Sequence, residues 1–153
     1  MSGFSWTLPS VSGGVGVATP SGPLDRELGR LFGTDIYFRN DYEITSAGDF
    51  LLVNGLTNLR EAIYRRLITR PGEYKFVPGY GIGITSYIKR RANIETIDQL
   101  RSALIEQLLR ERRIDAVEHV AIERIDDGLR IGLIIRAAGR ALRFRPLTFT
   151  EEQ

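Results

Sequence analysis

Between Leu56 and Thr69 the apolar residues Leu59, Ile63 and Leu67 recur every fourth position. That spacing puts them on one face of an α-helix, with Arg60, Arg65 and Arg66 off the line. A stronger pattern of the same kind runs from Ile94 to Arg112, through Ile97, Leu100, Leu104 and Leu108. Asn93 is placed to cap it. Ile105 and Leu109 widen its apolar face, so cover on more than one side is expected. Leu24 to Phe32 reads as a short helix, and Ile84 to Arg91 as one or two helical turns. After Asp115 the period falls to two. Val120 and Ile122 alternate with smaller or charged residues. Leu129, Ile131, Leu133 and Ile135 alternate with Arg130, Gly132, Ile134 and Arg136, and Leu142 and Phe144 with Arg143 and Arg145. Asp126-Asp127-Gly128 and Ala138-Gly139 are the hairpin turns between these runs. Pro146 closes the last one, which marks it as an edge strand. Asp35 to Phe38 and Phe50 to Val53 read as two further short strands, with turn residues at Asn40-Asp41 and Ala47-Gly48-Asp49. The expected class is α+β: amphipathic helices packed on an antiparallel sheet with a C-terminal three-strand meander.

Two stretches fall outside these patterns. Residues 1 to 23 are rich in Gly, Ser and Pro, which cannot bury much apolar surface. They are expected to be a flexible arm, in which Phe4, Trp6 and Leu8 either anchor it on a neighbour or fold back on this chain, ahead of a single domain over 24 to 153. Pro71 stops the helix before it, since proline cannot continue the hydrogen-bond ladder. The loop to Gly83 is dense in glycine and aromatic residues. It is expected to join two helices with Phe76 and Tyr80 packed beneath it. Gly81 or Gly83 is expected to hold a backbone geometry that other residues resist.

Composition narrows the function classes. The chain has 153 residues, enough for a real core. It has no cysteine, which excludes disulfides and thiolate metal sites and suits assembly in a reducing cytoplasm. No apolar run approaches membrane-spanning length, and no secretory signal is expected from Met-Ser-Gly-Phe-Ser-Trp. Net charge is +2, but from Leu59 to Arg91 eight basic residues face two acids. Most of the basic residues are arginine, whose planar guanidinium suits bidentate contacts with carboxylates at protein interfaces.

Candidate chemistry is sparse. Gly79-Tyr80-Gly81-Ile82-Gly83 lacks the strand-to-helix setting and the lysine of a phosphate loop. Asp35, Asp49 and Glu73 are the members from which a glycosidase pair would be drawn, without a flanking aromatic groove. His119 is the only histidine, sits in a strand with a cap or packing role expected, and cannot build a multi-histidine metal site. Arg60, Arg65, Arg66, Arg70 and Lys75 form a basic set that would suit phosphates, but no nucleic-acid module accompanies them. No catalytic residue, cofactor or metal is expected.

Three segments together resemble a known family: Gly48-Asp49-Phe50 with Val53, Gly55 and Leu59 to Ile63; Arg66 to Glu73 with Phe76, Pro78, Tyr80 and Gly81; and Leu109 to Asp115 with Val117. In order and spacing they are similar to the baseplate wedge, or sheath-initiator, family of contractile phage tails. Relatives occur in tailocins, extracellular contractile injection systems and type VI secretion, and some carry a lysozyme-like label. The resemblance covers about residues 33 to 146. It implies a structural, non-enzymatic protein that joins wedge subunits to the first sheath ring. It would assemble in the cytoplasm and stay in a sixfold baseplate. Wedge subunits and sheath protein are the implied partners, with tube or hub proteins as further candidates and neither membrane nor nucleic acid. The family's Glu-Pro-Arg motif, implied to bind the wedge, falls on Glu111, Arg112 and Arg113. Arg112 replaces the proline, so the helix is expected to run further than in relatives. The implied sheath-binding edge strand carries Arg140, Leu142 and Phe144, and would receive a sheath strand by main-chain pairing. Pro71, Gly72, Glu73, Phe76, Pro78, Tyr80, Gly81 and Gly83 form the implied structural loop. The rival readings are a peptidoglycan hydrolase and a nucleic-acid-binding module.

Overall fold

The computed structural model describes residues 23–37, 44–90 and 93–150. The expected arm with Phe4, Trp6 and Leu8, and the Asn40-Asp41 turn, lie outside the described residues. In chain order the elements are α1 (Pro23–Phe32), β1 (Thr34–Ile36), β2 (Leu52–Asn54), α2 (Gly55–Ile68), α3 (Thr85–Ile88), α4 (Ile94–Leu109), β3 (Ala116–Ile125), β4 (Gly128–Ala137) and β5 (Arg140–Thr150). The protein is α+β and ends in the three-strand meander β3-β4-β5. No described helix is long and apolar enough to cross a membrane. Two compact units divide between Ala62 and Ile63, so α2 begins in the first and ends in the second.

In the first unit, α1 ends at Gly33, which takes φ +71° and donates its N–H to the Gly29 carbonyl at 2.9 Å. A glycine is the usual residue there because only it enters the left-handed region without steric cost. β1 and β2 pair antiparallel, with Asp35 opposite Val53. An Ile44–Phe50 bridge closes the Ala47-Gly48-Asp49 turn. Asn58 donates from Nδ2 to the Phe32 carbonyl at 2.9 Å, satisfying a carbonyl that the end of α1 leaves open. Leu28, Phe32, Leu59 and Ala62 are buried.

In the second unit, β4 is the central strand, and its Leu129, Ile131, Leu133 and Ile135 are all buried. Helix α4 lies against β3, and α3 against β5. The β3–β4 hairpin turns over Asp126-Asp127, with Ile125 opposite Gly128. A Cβ on Gly128 would collide with the Phe149 carbonyl, so close backbone approach accounts for this glycine. The β4–β5 hairpin turns on Ala138 and Gly139 at φ +51° and +71°, the twist that a two-residue loop needs.

Four expectations need correction. Helix α4 stops at Leu109 instead of running through Arg112. Ile114 is buried and the Asp115 N–H bonds the Arg136 carbonyl at 2.7 Å, so the chain must leave the helix to begin β3. Ile94 is 83% exposed and Leu109 50% exposed, so the ends of the apolar face are uncovered, while Leu100, Leu104 and Leu108 are buried and Ile97 and Ile105 half-buried. β5 continues past Pro146 to Thr150. Its pairing shifts from Leu133 opposite Phe144 to Ile131 opposite Leu147. Arg145 and Pro146 therefore fall at a bulge, where a missing N–H is tolerated. Beyond it Phe149 is fully buried and stacks on Tyr64, ring centroids 5.4 Å apart. Lastly, His119 is exposed beside the irregularity in β3 and does not pack in the core.

Candidate docking surface

The last turn of α2 leaves carbonyls without helical partners. The returning loop satisfies them. The N–H groups of Ile82, Gly83 and Ile84 reach the carbonyls of Arg66, Thr69 and Leu67 at 3.2, 2.8 and 2.9 Å. Gly81 and Gly83 take φ +90° and +60°. A Cβ on Gly81 would strike the Thr69 carbonyl, and one on Gly83 would lie 3.3 Å from the Arg70 Cα. The outer part of the loop is also closed on itself. Gly72 N–H bonds the Pro78 carbonyl at 2.8 Å, Val77 N–H the Tyr74 carbonyl at 3.1 Å and Tyr80 N–H the Val77 carbonyl at 2.9 Å. Glu73 accepts the Arg70 N–H on Oε2 at 2.9 Å.

Helix α4 buttresses this loop through two polar side chains. Gln107 is buried, accepts the Gly81 N–H on Oε1 at 3.2 Å and donates from Nε2 to the Gly79 carbonyl at 2.8 Å. Arg110 donates to the same carbonyl at 2.9 Å and pairs with Glu106 at 2.6 Å. Arg66 completes the centre. Its guanidinium donates to Gln107 Oε1 at 3.4 Å, lies 3.6 Å from Glu111 Oε2 and sits 4.5 Å above the Tyr80 ring. Glu111 holds Arg113 Nε at 2.7 Å on its other oxygen. The Glu111-Arg112-Arg113 triplet is therefore a turn bound to α2, in which Glu111 is engaged and Arg112 is exposed.

The electrostatics follow from this geometry. Burial alone would raise the Glu111 carboxyl, but the hydrogen bond and charge of Arg113, with the charge of Arg66, hold it below the usual carboxylate range. Burial pushes the Tyr80 phenol upward against the opposing pull of Arg66 and Arg65.

Phe76 departs from expectation. It is 89% exposed, and only Tyr80 packs beneath the loop. Tyr74 stands edge-on between them, 6.0 Å from Tyr80 and 6.2 Å from Phe76. Along β5, Arg140 is exposed, Leu142 half-buried and Phe144 buried. Among the described residues no strand lies on the outer side of β5.

No family model matches this chain. No curated protein matches it. Solved structures do, among them one of a baseplate. It is a chain of the six-fold symmetrised cryo-EM structure of the anti-feeding prophage (AFP) baseplate, 17% identical with a TM-score of 0.58. The match covers 82% of this chain and 90% of that one. At that identity the likeness is one of fold.

Of the carboxylates weighed for hydrolysis, Asp35 Oδ1 accepts the neighbouring Ile36 N–H at 2.8 Å within β1, and Glu73 serves the loop as above. Among the described residues no group of three or more His, Cys, Asp or Glu side chains is placed to hold a metal ion. Arg66 is removed from the basic set, because its guanidinium is buried and engaged. The sequence reading missed the bracing roles of Gln107 and Arg110. Gln107 carried a signal: it lies seven residues after Leu100 and three after Leu104, on the apolar stripe, where a polar group must find a partner.

Proposed function

We propose that this protein is a structural, non-enzymatic subunit of the baseplate of a phage-tail-like contractile particle, joining wedge subunits to the first sheath ring. The observation that carries the reading is the fold shared with a baseplate chain over most of both lengths. The local geometry supports it. The turn at Glu111, Arg112 and Arg113 is held on α2 by Arg66, and Glu111 holds Arg113, so part of the ordering that docking requires is already in place. In this proposal Glu111 orients the arginines and Arg112 meets the wedge. The outer edge of β5, around Arg140, Leu142 and Phe144, receives a strand of the sheath. Its exposed arginines keep that edge soluble before assembly. The protein assembles in the cytoplasm in sixfold copies.

The test is a deletion strain complemented with variants, with particles viewed by electron microscopy. Arg112→Glu is the informative docking variant, because Glu111 also holds Arg66 and its loss would disturb the fold. The expected result is a folded variant, by circular dichroism, that no longer co-purifies with wedge subunits. Leu142→Pro, if folded, is expected to leave baseplates without sheath. Normal sheathed particles from the deletion strain would refute the reading. Peptidoglycan turnover lost in Glu73→Gln would replace it with a hydrolase.

A further inference from the structure

We propose that the loop tip Tyr74 to Val77 is a preformed knob that inserts into an apolar pocket rimmed by carboxylates on a partner protein. The inference is independent of the baseplate reading. Phe76 is 89% exposed, with Tyr74 and Val77 about half exposed beside it. The hydrogen bonds that shape the tip are main-chain bonds, Val77 N–H to Tyr74 and Gly72 N–H to Pro78, and do not use the Phe76 ring. The ring touches Tyr74 edge-on and packs in no core among the described residues. An exposed aromatic ring on a rigid turn is the arrangement of an interface anchor, because burying it on a partner sacrifices little freedom. Burial of one phenylalanine is worth on the order of 10- to 100-fold in affinity.

Charge selects the rim of the pocket. With Arg66 buried against Glu111, the exposed charges between Arg70 and Tyr80 are Arg70 and Lys75 against one acid, Glu73. That acid is engaged with the Arg70 N–H. Lys75 lies between the two exposed rings in sequence, and both Arg70 and Lys75 are exposed. A partner pocket ringed by Asp or Glu complements this arrangement and steers its approach. The ring geometry argues against nucleic acid. Tyr74 meets Phe76 at 79° and Tyr80 at 61°, so the rings form a convex point and not a flat platform for stacked bases.

The experiment places a photoreactive benzoyl-phenylalanine at position 76 of the full chain in the producing cells. A second strain carries it at position 94, an exposed site on α4. The mapped adduct at 76 is expected to be one protein peptide with apolar residues flanked by Asp or Glu, absent from the position-94 strain. Lys75→Glu is expected to cut its yield about tenfold. An adduct with nucleic acid, with a second copy of this chain or with a peptide lacking acids would overturn the proposal. So would no adduct, or a yield indifferent to Lys75→Glu. Phe76→Ser is expected to leave thermal unfolding unchanged, and a lowered midpoint would make the ring structural and end the proposal. Whether the chain sits in particles is read separately by fractionation, so failure of the knob and failure of the baseplate reading are distinguishable.

Discussion

Replacing Gly81 by alanine tests the idea that the loop is stapled to helix α2 by its main chain. The position has φ +90°, and the new Cβ would meet the Thr69 carbonyl. Two costs arise. Holding a non-glycine residue in this region costs about 1–3 kcal/mol. Moving the Thr69 carbonyl, or the Gly81 amide, weakens the Gly83 N–H to Thr69 bond at 2.8 Å and the Gly81 N–H to Gln107 bond at 3.2 Å. Each is worth about 0.5–1.5 kcal/mol net. The sum is roughly 2–6 kcal/mol. Gly72→Ala supplies the comparison, since Gly72 has φ +83° but nothing within 4 Å of its absent Cβ. That variant carries only the conformational cost. Urea unfolding, followed by circular dichroism with the slope constrained, separates the two. With a slope of about 2 kcal/mol per molar urea, Gly81→Ala should lower the midpoint by roughly 1–3 M, and clearly more than Gly72→Ala. Equal losses would refute the collision and leave only backbone strain.

Three further outcomes are expected. The depressed carboxyl of Glu111 contributes stability above its ordinary value of 4.5, and that contribution is lost as pH falls through the lower folded value. Thermal midpoints from pH 7 to pH 3 should therefore fall less steeply below 4.5 in Glu111→Gln than in the unaltered protein, and parallel curves would contradict the pairing. Phe149→Ala, at a fully buried ring stacked on Tyr64, should cost about 3–5 kcal/mol by denaturant titration. Asn93→Ala removes the cap that accepts the Thr96 N–H at 2.8 Å and should cost about 1 kcal/mol in the same titration.

The elements most legible in the sequence are those whose cause is local. The alternation in β4 needs only the pleat, and the spacing of Leu59, Ile63 and Leu67 only the helical repeat. Each places its residues in a core. The Asn93 cap is equally local. The expectations that failed depend on distant parts of the chain. Pro146 reads as the end of a strand until the partner strand supplies a bulge to accommodate it. The end of α4 is set by where Ile114 and Asp115 must go, and Arg112, expected to prolong the helix, does not change that. Phe76 looks like a core residue by composition, yet the direction of a turn residue is decided by the hydrogen bonds around it.

Arg66 shows why the loop and the triplet are one structural question. Its position off the apolar line of α2 suggested a solvent-facing charge. Yet the C-terminal end of that helix is enclosed by the returning loop and by α4, so an off-line residue there can still be buried. Once buried, a guanidinium requires carboxylate and hydrogen-bonding partners. Glu111 and Gln107 supply them, and Tyr80 offers its ring face. The same cation thereby sets the position of the Glu111 turn and of the aromatic series through Tyr80 and Tyr74 to Phe76. An Arg66→Leu variant that still folds should loosen both surfaces together, whereas Arg112→Glu and Phe76→Ser should each affect one. Two docking defects produced by a single buried side chain, and separable by two exposed ones, would follow from a shared centre and from no arrangement in which the surfaces are independent.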